Sequence, residues 1–182
     1  MASIQSLKPN VTRAEAIDTL QGGMASLRRW FGPGALRSVA EVYVPFRLYE
    51  VEIANGPRRQ RTFFALDAVS GTLDLYHFEH RPAAGELIEV ETRNRPQPTL
   101  EDAQAVSMLE DKLRRLMFQR GFFRVRDDVH FRAARAPLDL HVPYWIGLYA
   151  AGENVRLRVL DAVRRRFEGA KARALFETWL AS

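Results

Sequence analysis

Apolar residues recur along this chain with two periods, and the places where the period switches mark its elements. Ile17, Leu20, Met24, Leu27 and Phe31 fall three or four apart, the stripe of a helix. Thr12 and Glu15 have capping-box spacing at its start. Gly22-Gly23 weakens its middle, and Gly32-Pro33-Gly34 ends it. The period then becomes two, with Val42, Val44, Phe46 and Leu48 on one face. Beyond Leu48 the phase flips: Tyr49, Val51 and Ile53 are apolar, while Glu50 and Glu52 are charged. The flip predicts a bulge near Leu48-Tyr49, or a strand that passes from one packing layer to another. Pro45 cannot donate to a ladder and is expected at a bulge or on a side without a neighbour. Asn55-Gly56-Pro57 predicts a turn and residues 61–69 a return strand; Ser70-Gly71 leads into a third strand over 72–79.

Residues 81–98 are Pro-rich and charged apart from Leu87-Ile88, a connector with room for one short strand. Thr99-Leu100-Glu101-Asp102 predicts a capped helix with the stripe Ala105, Met108-Leu109, Lys112-Leu113 and Leu116-Met117, stopped at Gly121. Short strands are expected over 122–126 and 129–131. Residues 142–149 are apolar on both faces, with Val142, Tyr144, Ile146 and Leu148 on one and Trp145 and Tyr149 on the other; this predicts a central strand. Its partner alternates, with Val155, Leu157 and Val159 inward and Arg156 and Arg158 outward. A last helix from about Gly169 should bury Ala172, Leu175-Phe176 and Trp179-Leu180, and it is the expected cover for Trp145, with a homodimer as the alternative.

One pattern occurs twice. Residues 42–49 (Val-Tyr-Val-Pro-Phe-Arg-Leu-Tyr) precede Ala65-Leu66-Asp67-Ala68-Val69, and residues 140–149 (Leu-His-Val-Pro-Tyr-Trp-Ile-Gly-Leu-Tyr) precede Val159-Leu160-Asp161-Ala162-Val163. Pro to Asp is 22 residues in the first and 18 in the second, so the loop absorbs the difference. The expected fold is α+β: two degenerate helix-plus-antiparallel-meander repeats sharing a core, with a closing C-terminal helix. The first repeat with its connector covers 1–98 and the second 99–182, together one compact unit, as one continuous sheet or two facing ones. Arg164-Arg165 replaces the Ser70-Gly71 turn in the second copy, so its third strand should be short or lost.

The Ala14/Ile17 helix start, Tyr43-Val44-Pro45-Phe46 and Leu66-Asp67-Ala68-Val69-Ser70-Gly71 together resemble the helix-plus-meander units of PepSY-type and cystatin-like small bacterial domains. The resemblance implies a binding or regulatory module rather than an enzyme.

Composition narrows the field. The chain has no cysteine, which excludes disulfides, thiolate catalysis and Cys-based zinc sites. No apolar run approaches the length of a membrane span, and the first residues lack a signal-peptide layout. A cytoplasmic protein without membrane attachment is expected. Net charge is polarised, +8 over 112–182 and −3 over the rest. That polarity suits either an anionic partner or two halves that attract each other.

The candidate chemistry is sparse. Asp67 and Asp161 at matching strand ends could form an acid–base or cation-binding pair, but a strand-ending aspartate ordinarily accepts the amides of its own turn. Tyr43, Tyr144, Trp145 and Tyr149 join them as ligand or interface candidates. Polyanion candidates are Arg124, Arg126, Arg156, Arg158, Arg164, Arg165 and Arg166, with Arg132 and Arg135 in the same basic half; Phe122 and Phe123 nearby could stack on bases. No nucleic-acid motif accompanies them. His77, Glu79 and His80 are the densest potential metal ligands, with His130 and His141 elsewhere, but on a strand His80 points away from the other two. No metal or cofactor is therefore assigned, and there is no phosphate loop, dinucleotide fingerprint or nucleophile elbow. Three functions stay open: a non-catalytic binding or scaffold module of protein or small-ligand partners, the favoured reading; a nucleic-acid or polyanion binder; and an enzyme of unknown type.

Overall fold

Two very long strands carry the architecture. A computed structural model describes residues 2–22, 35–119, 129–151 and 154–182. In order these form β1 (Ala2–Leu7), α1 (Arg13–Gly22), β2 (Ala35–Asn55), β3 (Arg58–Asp67), β4 (Tyr76–Phe78), a 3₁₀ turn (Ala84–Glu86), β5 (Leu87–Thr92), α2 (Asp102–Gln119), β6 (Val129–Ala151), β7 (Asn154–Asp161), β8 (Arg166–Phe167) and α3 (Ala170–Ala181). The class is α+β. The strands belong to an eight-stranded mixed sheet in the order β4-β3-β2-β6-β1-β5, with β7 and then β8 branching from β6. All the registered pairs are antiparallel except β1 with β6, which meet in parallel at Ser6 and His141.

The chain divides into two units. One comprises Met1–Val44, Glu86–Pro96 and His141–Ser182, the other Pro45–Gly85 and Gln97–Leu140. Each draws on both 1–98 and 99–182, and β2 and β6 each contribute a segment to both.

In the second unit the β2–β3 hairpin packs against α2. Gly56 adopts φ +59°, which glycine reaches without strain, so Gly56-Pro57 turns the chain tightly between the Asn55↔Arg58 pair. From that pair to Phe46↔Asp67 the register runs unbroken, so there is no bulge at Leu48-Tyr49. The flip in hydrophobic phase instead marks a strand buried on both faces, since Phe46 and Leu48 are as buried as Tyr49 and Val51. Tyr49, Val51, Phe64 and Leu66 pack against Leu100, Ala105, Leu109 and Leu113, the stripe expected for α2. Thr99 does not cap this helix. Its hydroxyl donates to the Val69 carbonyl at 2.7 Å, and the first turn closes instead from the Ala105 amide to the Glu101 carbonyl. The third strand is much shorter than 72–79, because the loop ahead of it is gathered onto Asp67.

In the first unit, β6 and β7 pair from Tyr144↔Asp161 to Ala151↔Asn154. Trp145, Tyr149, Leu160 and Ala162 pack against Val11, Ala16 and Leu20. The Trp145 indole donates to the Val11 carbonyl at 3.0 Å, and the Tyr149 hydroxyl donates to the Leu20 carbonyl at 2.8 Å. Gly147 lets α1 approach: a Cβ there would lie 3.0 Å from Leu20 Cδ2. Thr12 and Glu15 form the predicted capping box, with Glu15 Oε2 accepting the Thr12 amide at 2.8 Å. Met24, Leu27 and Phe31 lie outside the described residues.

The cover of Trp145 is thus the N-terminal helix, not the C-terminal one. α3 covers the opposite face, where Phe176 meets Tyr144 edge-on at 5.6 Å. Three further expectations change. Val155 is 63% exposed because it sits near the hairpin tip, Leu180 is 51% exposed beyond the Phe176 contact, and residues 129–131 open one continuous strand. No pattern in the sequence predicts β1, while β5 is the short strand allowed in the connector. The third strand of the second hairpin is reduced to β8, as the Arg164-Arg165 replacement predicts.

The two hairpins share their bonding. The residue after proline pairs with the aspartate in both, Phe46↔Asp67 and Tyr144↔Asp161. The next alanine donates to the proline carbonyl, Ala68 to Pro45 at 2.8 Å and Ala162 to Pro143 at 3.1 Å. Its own carbonyl accepts from the segment leading into a helix: Thr99 and Leu100 on Ala68, Asn10 on Ala162. Trp145→Ala should cost about 3–5 kcal/mol in a urea titration, and Trp145→Phe, which strands only the Val11 carbonyl, about 1–2 kcal/mol. Equal losses for the two variants would contradict the packing described for this ring.

Candidate functional site

The two aspartates are occupied by their own turns. Asp67 is fully buried; its Oδ1 accepts the amides of Ser70 at 2.7 Å and Gly71 at 2.9 Å, and its Oδ2 that of Leu73 at 2.8 Å. Asp161 Oδ1 accepts the amides of Val163 at 2.9 Å and Arg164 at 2.8 Å, with the Arg164 guanidinium 4.0 Å from Oδ2. Four residues after each aspartate the backbone turns left-handed, at Gly71 (φ +66°) and Arg165 (φ +57°). In the second turn an arginine holds that conformation, at about 1–2 kcal/mol of backbone strain. Carboxylates that accept the amides of their own turn anchor the end of the strand.

Tyr43, Tyr144, Trp145 and Tyr149 are buried and present no aromatic surface. Burial, reinforced by Glu41, raises the Tyr43 phenol far above its ordinary range; burial also raises Glu41 and Tyr149. The arginines are largely engaged. Arg158 lies over the Phe167 ring at 3.9 Å, Arg165 pairs with Glu15 at 3.2 Å, Arg166 with Glu168 at 3.1 Å, and Arg135 with Asp102 at 3.2 Å. Arg156 is exposed on β7, and Arg124, Arg126, Phe122 and Phe123 lie outside the described residues. His77 is bound to Thr62 and stacked on Phe64, Glu79 and His80 are exposed, and the buried His141 has its Nδ1 3.2 Å from the Gln5 carbonyl. No three His, Asp or Glu side chains among the described residues are arranged to hold a metal ion. No described helix is long and apolar enough to cross a membrane.

What the fold does assemble is a cleft of about 430 Å³ in the second unit. Its apolar lining is Ile53, Phe64, Leu113, Leu116 and Met117; its polar lining is Arg58, Arg59, Gln60, Thr62 and His77. The cleft arises because the β2–β3 hairpin continues past its last core residues while keeping one face toward α2. Tyr49↔Phe64, Val51↔Thr62 and Ile53↔Gln60 are successive pairs on that face, with Arg58 next along β3. The volume lies within the range of about 300–1,000 Å³ common for small-molecule sites. Sequence reasoning missed it because three separate segments line it. The one local signal is the alternation Arg58, Gln60, Thr62, Phe64 ahead of the core.

The anchor role makes a stability prediction. Asp67→Ala strands the amides of Ser70, Gly71 and Leu73, and Asp161→Ala those of Val163 and Arg164, so at about 1–3 kcal/mol per stranded group both should destabilise. Chemical denaturation checks this; a loss under about 1 kcal/mol for Asp67→Ala would show the amides satisfied elsewhere. Compared with protein families, curated proteins and solved structures, the chain matches none.

Proposed function

We propose that this chain is a non-catalytic, cytosolic binding module whose ligand is a small molecule held in the cleft between the β2–β3 hairpin and α2. The observation that carries this reading is the cleft itself: a concave, mainly apolar surface that also carries the polar groups of Arg58, Arg59, Gln60, Thr62 and His77. The engagement of Asp67 and Asp161 by turn amides favours binding over catalysis. The resemblance to PepSY-type and cystatin-like domains points the same way, and the lack of cysteine suits the cytosol. The polyanion reading draws less support, since Arg158, Arg165 and Arg166 already have partners within the chain.

The scaffold is read as a duplication whose copies have exchanged helices. The equal registers, the shared proline–alanine bond and the left-handed residue four places after each aspartate support equivalence of residues 42–69 and 140–163. The helix preceding the first hairpin packs on the second, and the helix preceding the second packs on the first.

Nile red, which is uncharged, tests the cleft without reference to charge. It should bind the whole chain saturably at one site. Leu116→Trp, which fills the cleft from α2, should weaken it at least tenfold while leaving the far-ultraviolet circular dichroism and melting temperature close to wild type. Unsaturable binding, or binding indifferent to Leu116→Trp, would refute the site.

A further inference from the structure

The cleft is graded from one end to the other. Along β3, Phe64, Thr62, Gln60 and Arg58 share one face and run from a buried ring to an exposed guanidinium over about 20 Å. Thr62, next to Phe64 in the row, is internally satisfied. The Thr62 hydroxyl donates to the Phe78 carbonyl at 2.9 Å, so at 2.8 Å it must accept from His77 Nε2, which therefore carries a hydrogen. The His77 ring is stacked on Phe64 with centroids 4.8 Å apart. The rim cations differ. Arg59 is bonded to Glu52 at 3.2 Å, and Arg61 beside it engages Glu52 at 3.5 Å and Glu50 at 3.9 Å. The Arg58 guanidinium has no hydrogen-bond or ion-pair partner among the described residues.

We infer that the cleft takes an amphipathic carboxylate, its apolar chain or ring along Phe64, Leu113, Leu116 and Met117 and its carboxylate on Arg58. The inference rests on the reading of the cleft as a ligand site and adds the class of ligand. A guanidinium presents two parallel N–H donors, the match for a singly charged carboxylate, and that of Arg58 is unpaired among the described residues. An apolar tail fits the inner wall, where the hydrogen-bonding atoms of Thr62 and His77 are directed at each other.

The test uses the whole chain with 11-(dansylamino)undecanoic acid and its methyl ester, which differ in the head group alone. The acid should bind about tenfold more tightly than the ester. Arg58→Gln, at an exposed position near the hairpin turn, should reduce the acid to the affinity of the ester and leave the ester unchanged. Raising the salt concentration should weaken the acid only. Equal affinities for acid and ester, or a difference that survives Arg58→Gln, would overturn the carboxylate while leaving an apolar cleft intact. Failure of both probes to bind would overturn the cleft as a ligand site, and the carboxylate with it.

Discussion

A buried aspartate that ends a strand governs each half of this structure. Burying a carboxylate is unfavourable unless hydrogen bonds replace its water, and here turn amides do so: those of Ser70, Gly71 and Leu73 on Asp67, and those of Val163 and Arg164 on Asp161. Because the aspartate fixes the strand end, the next residue lies against the proline carbonyl of the partner strand. The carbonyl of that alanine in turn receives the segment that enters a helix. Strand end, turn and helix entry are thereby joined through one carboxylate and one peptide unit. In the second unit, Lys112 of α2 adds a bond from above, donating to the carbonyls of Thr72 and Leu73 in the turn.

The helices close what the turns begin. A hairpin alone buries too little apolar surface to stand in water. Ala105, Leu109 and Leu113 of α2 cover the first hairpin. The second is covered by α1 on one face and by α3 on the other. α2 lies well beyond β3 in sequence, and α1 far ahead of β6, so each cover is reached only through a long loop closure. The cleft is a by-product of the same geometry, since the hairpin extends its polar end beyond the last core positions it shares with α2.

Much of this was legible along the chain. The stripe of α2 and the Thr12–Glu15 box follow from local spacing, and both hairpins follow from alternation around Asn-Gly and around the double apolar strand. Periodicity is silent on partners, however. The apolar faces of Trp145 and its neighbours require a cover, but α1 and α3 offer similar short apolar stripes, and only the bonds to the Val11 and Leu20 carbonyls distinguish the one that meets it. β1 escaped notice because Ser3, Gln5 and the buried Ser6 dilute its pattern, and Ser6 is accommodated by bonding the His141 carbonyl. Val155 alternates correctly yet lies exposed, since alternation specifies a face and not how far along it the cover extends. The cleft joins side chains from β2–β3, β4 and α2, a relation that no local pattern encodes.

If, as proposed, the two hairpins are copies that have exchanged helices, the halves of the chain depend on each other. Residues 1–98 hold the first hairpin without α2, and residues 99–182 hold the second without α1. The decisive measurement is cooperative unfolding, with sedimentation to fix the mass, of fragments 1–98 and 99–182 separately and after co-expression. Exchange predicts that neither melts cooperatively as a monomer, and that together they form a 1:1 complex with a single transition. A fragment that unfolds cooperatively as a monomer would show a self-contained half and contradict it.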